Sequence, residues 1–334
     1  MTNAKLVGIG SYIPQRVITN DFFINKPYKV FIGLDKDQEP IFAPETRTLT
    51  NQGIIETTGI EQRRRARDNE QTSDLAAYAL QNALKNAHMS PDDLEGIIVA
   101  TVTPDKSFPS TACEVQRKIL AKNAHSYDIN AACSGFCYAL DQANNAIKQE
   151  SGPIAVIGAE TLTRVTDYEE LNCDLFGDLA GAVILAPTQE KGTGILATSL
   201  YSDPFDGKDM YIFLDKKGYL RMPQGRAVFK QAVEAMLARA GEVKQKANIG
   251  EKDVKLHIPH QANLRILQYV SQKIDPQNPK KVFVNIQKYG NTSSATCPVA
   301  LEEAIKEGRA KDGDIIILES FGSGLVSAAV AIKL

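Results

Sequence analysis

The stretch Ser126-Tyr-Asp-Ile-Asn-Ala-Ala-Cys-Ser-Gly135 passes from a β-rich run over 126–130 into a helical run that continues to Ile147. This places Cys133 at a strand-to-helix elbow, with its sulfur near a helix N-terminus. Unpaired N–H groups and the helix dipole both favour a thiolate there. The neighbours Ala131, Ala132, Ser134 and Gly135 are small and leave room at the sulfur. On this pattern alone two readings stay open. Cys133 is either a covalent nucleophile that accepts an acyl group or a buried, inert thiol, the usual state of a free cysteine.

Outward from the elbow, β-rich and helical runs alternate, which is the signature of α/β packing. The segment 73–86 carries apolar residues three and four apart and reads as a helix, and 94–101 reads as the strand after it. A further helix is predicted over 109–120. A strand is predicted at 154–159, apolar throughout and so buried on both faces. Two stretches look alike: Ile154 to Ala159 followed by Phe176-Gly-Asp to Ala186, and Ile315 to Leu318 followed by Phe321-Gly-Ser to Ala331. Each is an apolar strand, a Phe-Gly turn and a strand of small apolar residues. Two related halves follow, with a boundary inside 186–225, a region that reads as loop; residues 1–190 and 191–334 are the expected division. A helix is expected from Arg226 to Ala240. Residues 25–56 have the least regular pattern and are expected to form a surface excursion.

The bulk numbers narrow the function classes. The chain has 334 residues, 43% of them hydrophobic and 23% charged, with a net charge of −2. That balance gives no general attraction to nucleic acid or acidic membranes. No apolar run reaches the ~20 residues of a membrane span, and the first residues read as a strand rather than a signal peptide, so a cytoplasmic address is expected. The five cysteines, an odd number, point to reduced thiols. No Cys-x-x-Cys pair or His/Cys cluster calls for a metal.

Candidate partners for Cys133 lie far downstream. His260, in Pro259-His-Gln-Ala-Asn263, stands after a predicted strand at 254–258 and before a helix. A histidine there either faces a pocket as a neutral donor or is a solvated loop residue. Asn291, in Gly290-Asn-Thr292, follows a predicted strand at 282–286 and precedes a helix at 298–306, where helix capping is the ordinary use of such a residue. Phe321-Gly-Ser-Gly324 either offers backbone N–H groups to an oxyanion or is a tight hairpin turn. Arg63-Arg-Arg-Ala-Arg67 reads as a solvated basic face, with phosphate recognition as the alternative. His257 alternates with apolar strand residues and reads as structural.

Taken together and in this order, Asn130-Ala-Ala-Cys-Ser-Gly135, Pro259-His-Gln-Ala-Asn-Leu-Arg265, Gly290-Asn-Thr-Ser-Ser294 and Ser320-Phe-Gly-Ser-Gly324 resemble the β-ketoacyl-[acyl-carrier-protein] synthase III family. Gly8-Ile-Gly-Ser-Tyr-Ile-Pro14, Thr58-Gly-Ile-Glu-Gln-Arg63, Phe108-Pro-Ser-Thr-Ala-Cys113, Phe176-Gly-Asp178 and Val228-Phe-Lys230 extend the resemblance nearly end to end. It implies an α/β thiolase-like fold of two pseudo-duplicated halves in α-β-α-β-α layers, and a homodimer. It implies that Cys133 takes a primer acyl group from acyl-CoA or an acyl-carrier thioester. His260 and Asn291 would hydrogen-bond the thioester carbonyl of malonyl-acyl carrier protein while it loses carbon dioxide. The N–H groups of Cys133 and Ser323 would form the oxyanion hole. Phe108, Phe229, Asn263 and Phe321 match substrate-binding positions, Phe108 by reaching into the partner subunit, and Arg265 matches a carrier-protein docking residue. No metal or redox cofactor is implied.

The departures from the family concern the donor. Members that use coenzyme A often stack its adenine between a Trp and an Arg. This chain has no Trp, and Thr57 stands where one such Arg is expected. The second nucleotide-side Arg is not found near the acidic run Asp167-Tyr-Glu-Glu-Leu-Asn172, residues 25–56 are long, and Pro223-Gln-Gly225 carries an extra residue. Catalysis is therefore expected to be kept and donor recognition changed. Two alternatives remain: an acyltransferase with a small-molecule acceptor, which the His260/Asn291 pair disfavours, and a non-catalytic acyl-binding subunit.

Overall fold

A computed structural model describes residues 2–203, 212–222 and 225–334. Two sheets organise the chain. The first contains β1 (Asn3–Tyr12), β2 (Gly96–Ala100), β3 (His125–Ile129), β4 (Ile154–Thr161) and β5 (Asp178–Thr188), in the spatial order β1-β5-β4-β2-β3. The second contains β6 (Gly194–Ser202), β7 (Val254–Pro259), β8 (Ile315–Gly322) and β9 (Val326–Lys333), in the order β6-β9-β8-β7. Directions match position by position. β1 and β4 run antiparallel to β5, as β6 and β8 do to β9. β2 runs parallel to β4, as β7 does to β8. Beyond β7, where the first sheet has β3, Val282 makes an isolated parallel bridge to His257.

Helices cover both faces of each sheet, so the central strands are apolar on both sides. Alternate residues of one strand enter different cores. Ile98 and Val156 face inward with Phe136, Leu140 and Leu301, whereas Ile97 and Ile157 face outward with Leu80 and Val115. The shared inner core holds α4 (Gly135–Lys148) and α7 (Thr296–Lys306) between the two sheets. Outside the first sheet lie α2 (Thr72–Ala87) and α3 (Thr111–Ile119). Outside the second lie α5 (Gly225–Ala247) and α6 (Leu264–Ile274). The result is five layers, α-β-α-β-α, with α4 and α7 as equivalent central helices.

Several sequence expectations are corrected here. The region read as loop contains β6, a nine-residue strand at the edge of the second sheet. Residues 282–286 are not a strand, because only Val282 bridges and a helical turn begins at Ile286. The 25–56 segment is more than a surface excursion: it holds four short strands and most of α1 (Asn51–Thr58), and its Tyr28 and Ile54 pack with Phe23 and Cys173 in a small core. The arginine run is a solvated face only in part, with Arg67 exposed and Arg63 buried. Arg63 is 1% exposed, lies under the Phe23 ring and donates to Asn20 Oδ1; burial pulls its pKa down to about 10. The extra residue expected at Pro223-Gln224 and the loop at 204–208 lie outside the described residues.

Candidate active site

Cys133 sits where β3 turns into α4. Ala132 takes a positive φ of 45°, and the turn closes through Ser134 N to Ala131 O and Gly135 N to Ala132 O, both at 3.0 Å. Small side chains are required on every side. A Cβ on Gly135 would lie 3.1 Å from Ala100 Cβ, and one on Gly322 only 2.8 Å from Cys133 N. The last residues of β8 are therefore pressed against the amide of Cys133. Neither that amide nor the amide of Ser323 donates to a backbone acceptor among the described residues.

His260 follows β7 directly and is 2% exposed. Its N–H is tied to Glu319 O of β8 at 2.7 Å. Burial pulls the imidazole down to about 3, so it is neutral throughout the physiological range. Its Nδ1 lies 2.7 Å from Thr296 Oγ1. The same hydroxyl donates to the Ser293 carbonyl at 2.9 Å, so Thr296 ties the imidazole to the turn that carries Ser293.

Asn291 belongs to the second half of the chain but is held by the first. Its N–H donates to Leu175 O at 2.9 Å, and its carbonyl accepts from Gly177 N at 3.1 Å. Its Oδ1 accepts from Ser293 N at 2.9 Å, so the amide is fixed with its Nδ2 hydrogens left for a ligand.

These residues meet. Cys133, His260, Asn291, Phe321 and Ser323 line one chamber of about 50 Å³. On one side opens an apolar cavity of about 610 Å³ walled by Val102, Leu162, Val165, Phe213 and Leu220. On the other lies a mouth of about 450 Å³ that includes Arg47, Gly53, Thr57, Phe229 and Asn263. Ile212 borders all three spaces. Cys133 is half-buried, and both the chamber and the larger cavity reach it. Burial nevertheless pushes its thiol up to about 11, with the Ser293 hydroxyl pulling down and the Glu160 carboxyl, when ionised, adding to the rise. Desolvation of the sulfur thus opposes the thiolate that the helix start favours.

Other sequence-predicted residues fall elsewhere. Phe108 is 83% exposed and lines none of these three spaces in its own chain. Arg265 is exposed on the first turn of α6, its Nε bonded to Glu56 O at 2.7 Å. Asn263 caps α6 through Arg265 N and donates to Thr57 O at 2.9 Å. His257 is fully buried between Glu319 and Glu251. Burial pulls its pKa down, but the two carboxylates win and raise it to about 9. Sequence reasoning passed over Thr296 and the buried Glu160. The signal for Glu160 was a single acid closing an apolar strand, just beyond the predicted end at Ala159. Among the described residues no group of three or more His, Cys, Asp or Glu is placed to hold a metal ion, and no helix is long and apolar enough to cross a membrane.

A cysteine elbow at one central helix, sharing a chamber with a His and an Asn from the second sheet's side of a five-layer fold, is the arrangement of the thiolase-like, acyl-transferring condensing enzymes. The sequence profile of 3-oxoacyl-[acyl-carrier-protein] synthase III matches residues 127–204, and that of its C-terminal region matches residues 245–334. The chain is 43% identical to β-ketoacyl-[acyl-carrier-protein] synthase III of Aquifex aeolicus over 331 residues, covering 98% of this chain and 99% of that one. It is 41% identical to the Clostridium perfringens (strain SM101) protein of the same name, with all of both chains covered. The Aquifex aeolicus VF5 crystal structure superposes with a TM-score of 0.87 at 41% identity, over 99% of this chain and all of that one. The chain belongs to the 3-oxoacyl-[acyl-carrier-protein] synthase III family.

Proposed function

We propose that this chain performs the decarboxylating Claisen condensation of a Cys133-bound acyl primer with malonyl-acyl carrier protein, starting fatty-acid synthesis. What supports this most is one convergence: the Cys133 thiol, the neutral His260, the Asn291 amide and the Ser323 backbone come from four segments yet line one small chamber. In the first half-reaction the Cys133 sulfur attacks the primer thioester. Negative charge develops on the carbonyl oxygen against the Cys133 and Ser323 N–H groups, the donor thiol leaves with the proton, and the acyl chain lies in the 610 Å³ apolar cavity. In the second, malonyl thioester enters by the mouth. His260 Nε2 and Asn291 Nδ2 donate to its carbonyl oxygen, carbon dioxide departs, and the enolate carbon attacks the acyl-cysteine. Collapse of that adduct returns the electrons to Cys133 sulfur, which takes up a proton from solvent, and frees the β-ketoacyl thioester. Two donor sites suit two oxyanions, each donor contributing about 3–4 kcal/mol in a dry site.

The decisive test is the intact mass of the protein after incubation with a panel of acyl donors, together with carbon dioxide release from malonyl-acyl carrier protein. An adduct without any carbon dioxide release would favour an acyltransferase with another acceptor. For Nε2 to donate, the Thr296 hydroxyl must turn from the Ser293 carbonyl to His260 Nδ1 and leave the ring proton on Nε2, which adds a prediction. Thr296→Val should cut carbon dioxide release roughly tenfold by loosening the His260 ring, while the rate of adduct formation stays unchanged.

The donor reading goes with the mouth. Gly53 and Thr57 face it, and the chain has no Trp to stack an adenine. Such stacking contributes about 1–3 kcal/mol, so affinity for coenzyme A donors falls roughly tenfold or more. An acyl-carrier donor or a primer longer than acetyl is expected to be preferred in steady-state comparison; a strong preference for acetyl-CoA would overturn this. In our reading the halves divide at 190/191, between β5 and β6. The enzyme acts in the cytoplasm as a homodimer, with the exposed Phe108 serving the partner's site, Phe229, Asn263 and Phe321 lining the substrate path, and Arg265 docking the carrier protein beside the mouth. The reaction calls for no metal or redox cofactor.

A further inference from the structure

Glu160, one residue before the end of β4, is fully buried and takes no part in the chemistry above. Its Oε2 accepts from Thr101 Oγ1 at 3.1 Å, Val102 N at 3.1 Å and Thr103 Oγ1 at 2.7 Å. Its Oε1 lies 2.8 Å from Ser294 Oγ. The same Ser294 oxygen lies 2.8 Å from the Ala100 carbonyl. A hydroxyl carries one hydrogen, and a carbonyl can only accept. If Glu160 were ionised, one of these two close contacts would have no hydrogen between its oxygens. A proton on Oε1 closes the count: Glu160 donates to Ser294, and Ser294 donates to Ala100. Among the described residues no Lys, Arg or His forms an ion pair with this carboxyl, so an ionised form would be an uncompensated buried charge.

We infer that Glu160 is held as a neutral carboxylic acid and serves as a positioning residue, tying the end of β2 and the Asn291–Ser294 turn to β4 without setting a negative charge beside the Cys133 sulfur. Both tied segments border the site: Val102 walls the acyl cavity, and Asn291 lines the chamber. The close fit of Gly158 under the same turn shows how tightly the turn is seated, since a Cβ there would lie 2.3 Å from Ser294 O. Burial raises the carboxyl's pKa, in keeping with the neutral form. An ionised Glu160 adds to the rise of the Cys133 thiol, which a neutral one does not. The groups that bear on the cysteine's titration are few. The Ser293 hydroxyl does not titrate, and the imidazole of His260, which shares the chamber, is neutral at any pH well above about 3.

This inference rests on Cys133 being the acyl-accepting nucleophile, and its test separates the two. The substrate-free protein is treated with iodoacetamide at pH 7, where the rate follows the thiolate fraction, and alkylation is read on the Cys133 peptide by mass spectrometry for the native protein, Glu160→Gln and Glu160→Ala. The amide of glutamine is neutral and can still donate to Ser294. Glu160→Gln should therefore leave that rate within about twofold of native and keep condensation within a few-fold. Glu160→Ala should lose condensation by more than about tenfold, the turn being untied, so that the glutamine variant acts as the rescue. A rise of the pH 7 rate by about tenfold or more in Glu160→Gln would mean that the native residue was charged there and would overturn the inference, as would native condensation in Glu160→Ala. If the alanine variant does not fold, the glutamine rate decides alone. A native protein that forms no acyl adduct on Cys133 fails the functional reading instead.

Discussion

Replacing Cys133 with alanine is expected to abolish the acyl adduct and lower condensation by ~10⁴-fold or more, the scale of losing a covalent nucleophile that works within a set. Carbon dioxide release from malonyl-acyl carrier protein should survive, because His260 and Asn291 reach the malonyl carbonyl without the sulfur. The substitution removes one atom beyond Cβ at an elbow whose shape is set by Ala132, Gly135 and Gly322, so stability should change little. Mass spectrometry and gas release on one preparation check both halves of the prediction. An adduct that persists in the alanine variant would place the nucleophile elsewhere.

The complementary substitutions should give the opposite pattern. Asn291→Ala and His260→Ala each remove one donor to the enolate oxygen, at a cost of about 3–4 kcal/mol, or ~10²–10³-fold in carbon dioxide release. The acyl adduct on Cys133 should form at close to the native rate. Asn291→Ala keeps the backbone bonds to Leu175 and Gly177, so the turn stays docked and the loss reports the side chain. Because His260 is already neutral and burial holds it so, decarboxylation by the native enzyme should show no acid-side decline attributable to this group between pH 5 and 8.

Much of this arrangement was legible in the sequence. The elbow at Cys133 follows from a β-rich run meeting small residues and then a helical period. The duplication was visible in two strand-Phe-Gly-strand passages, now seen as the β4–β5 and β8–β9 pairs. What escaped was set by distant packing. β6 reads as loop locally, and only its pairing with β9 makes it a strand. Arg63 looks like surface charge until Phe23 and Asn20 cover it. Segment 282–286 has strand composition, but Phe283 N pairs with His257 O and a helical turn follows at once. The state of the Cys133 thiol depends on how much water its chamber excludes, a property carried by no single stretch of the chain.

The mouth lined by Thr57, Phe229 and Asn263 has a consequence for the order of events. It borders Asn291 on one side and, through Ile212, reaches the space around Cys133 on the other. Primer donor and malonyl donor would thus come to the same sulfur by the same path and cannot occupy it together. The spent donor thiol must depart before the extender arrives. Initial-rate plots should give parallel lines, and an excess of either thioester should slow the turnover of the other.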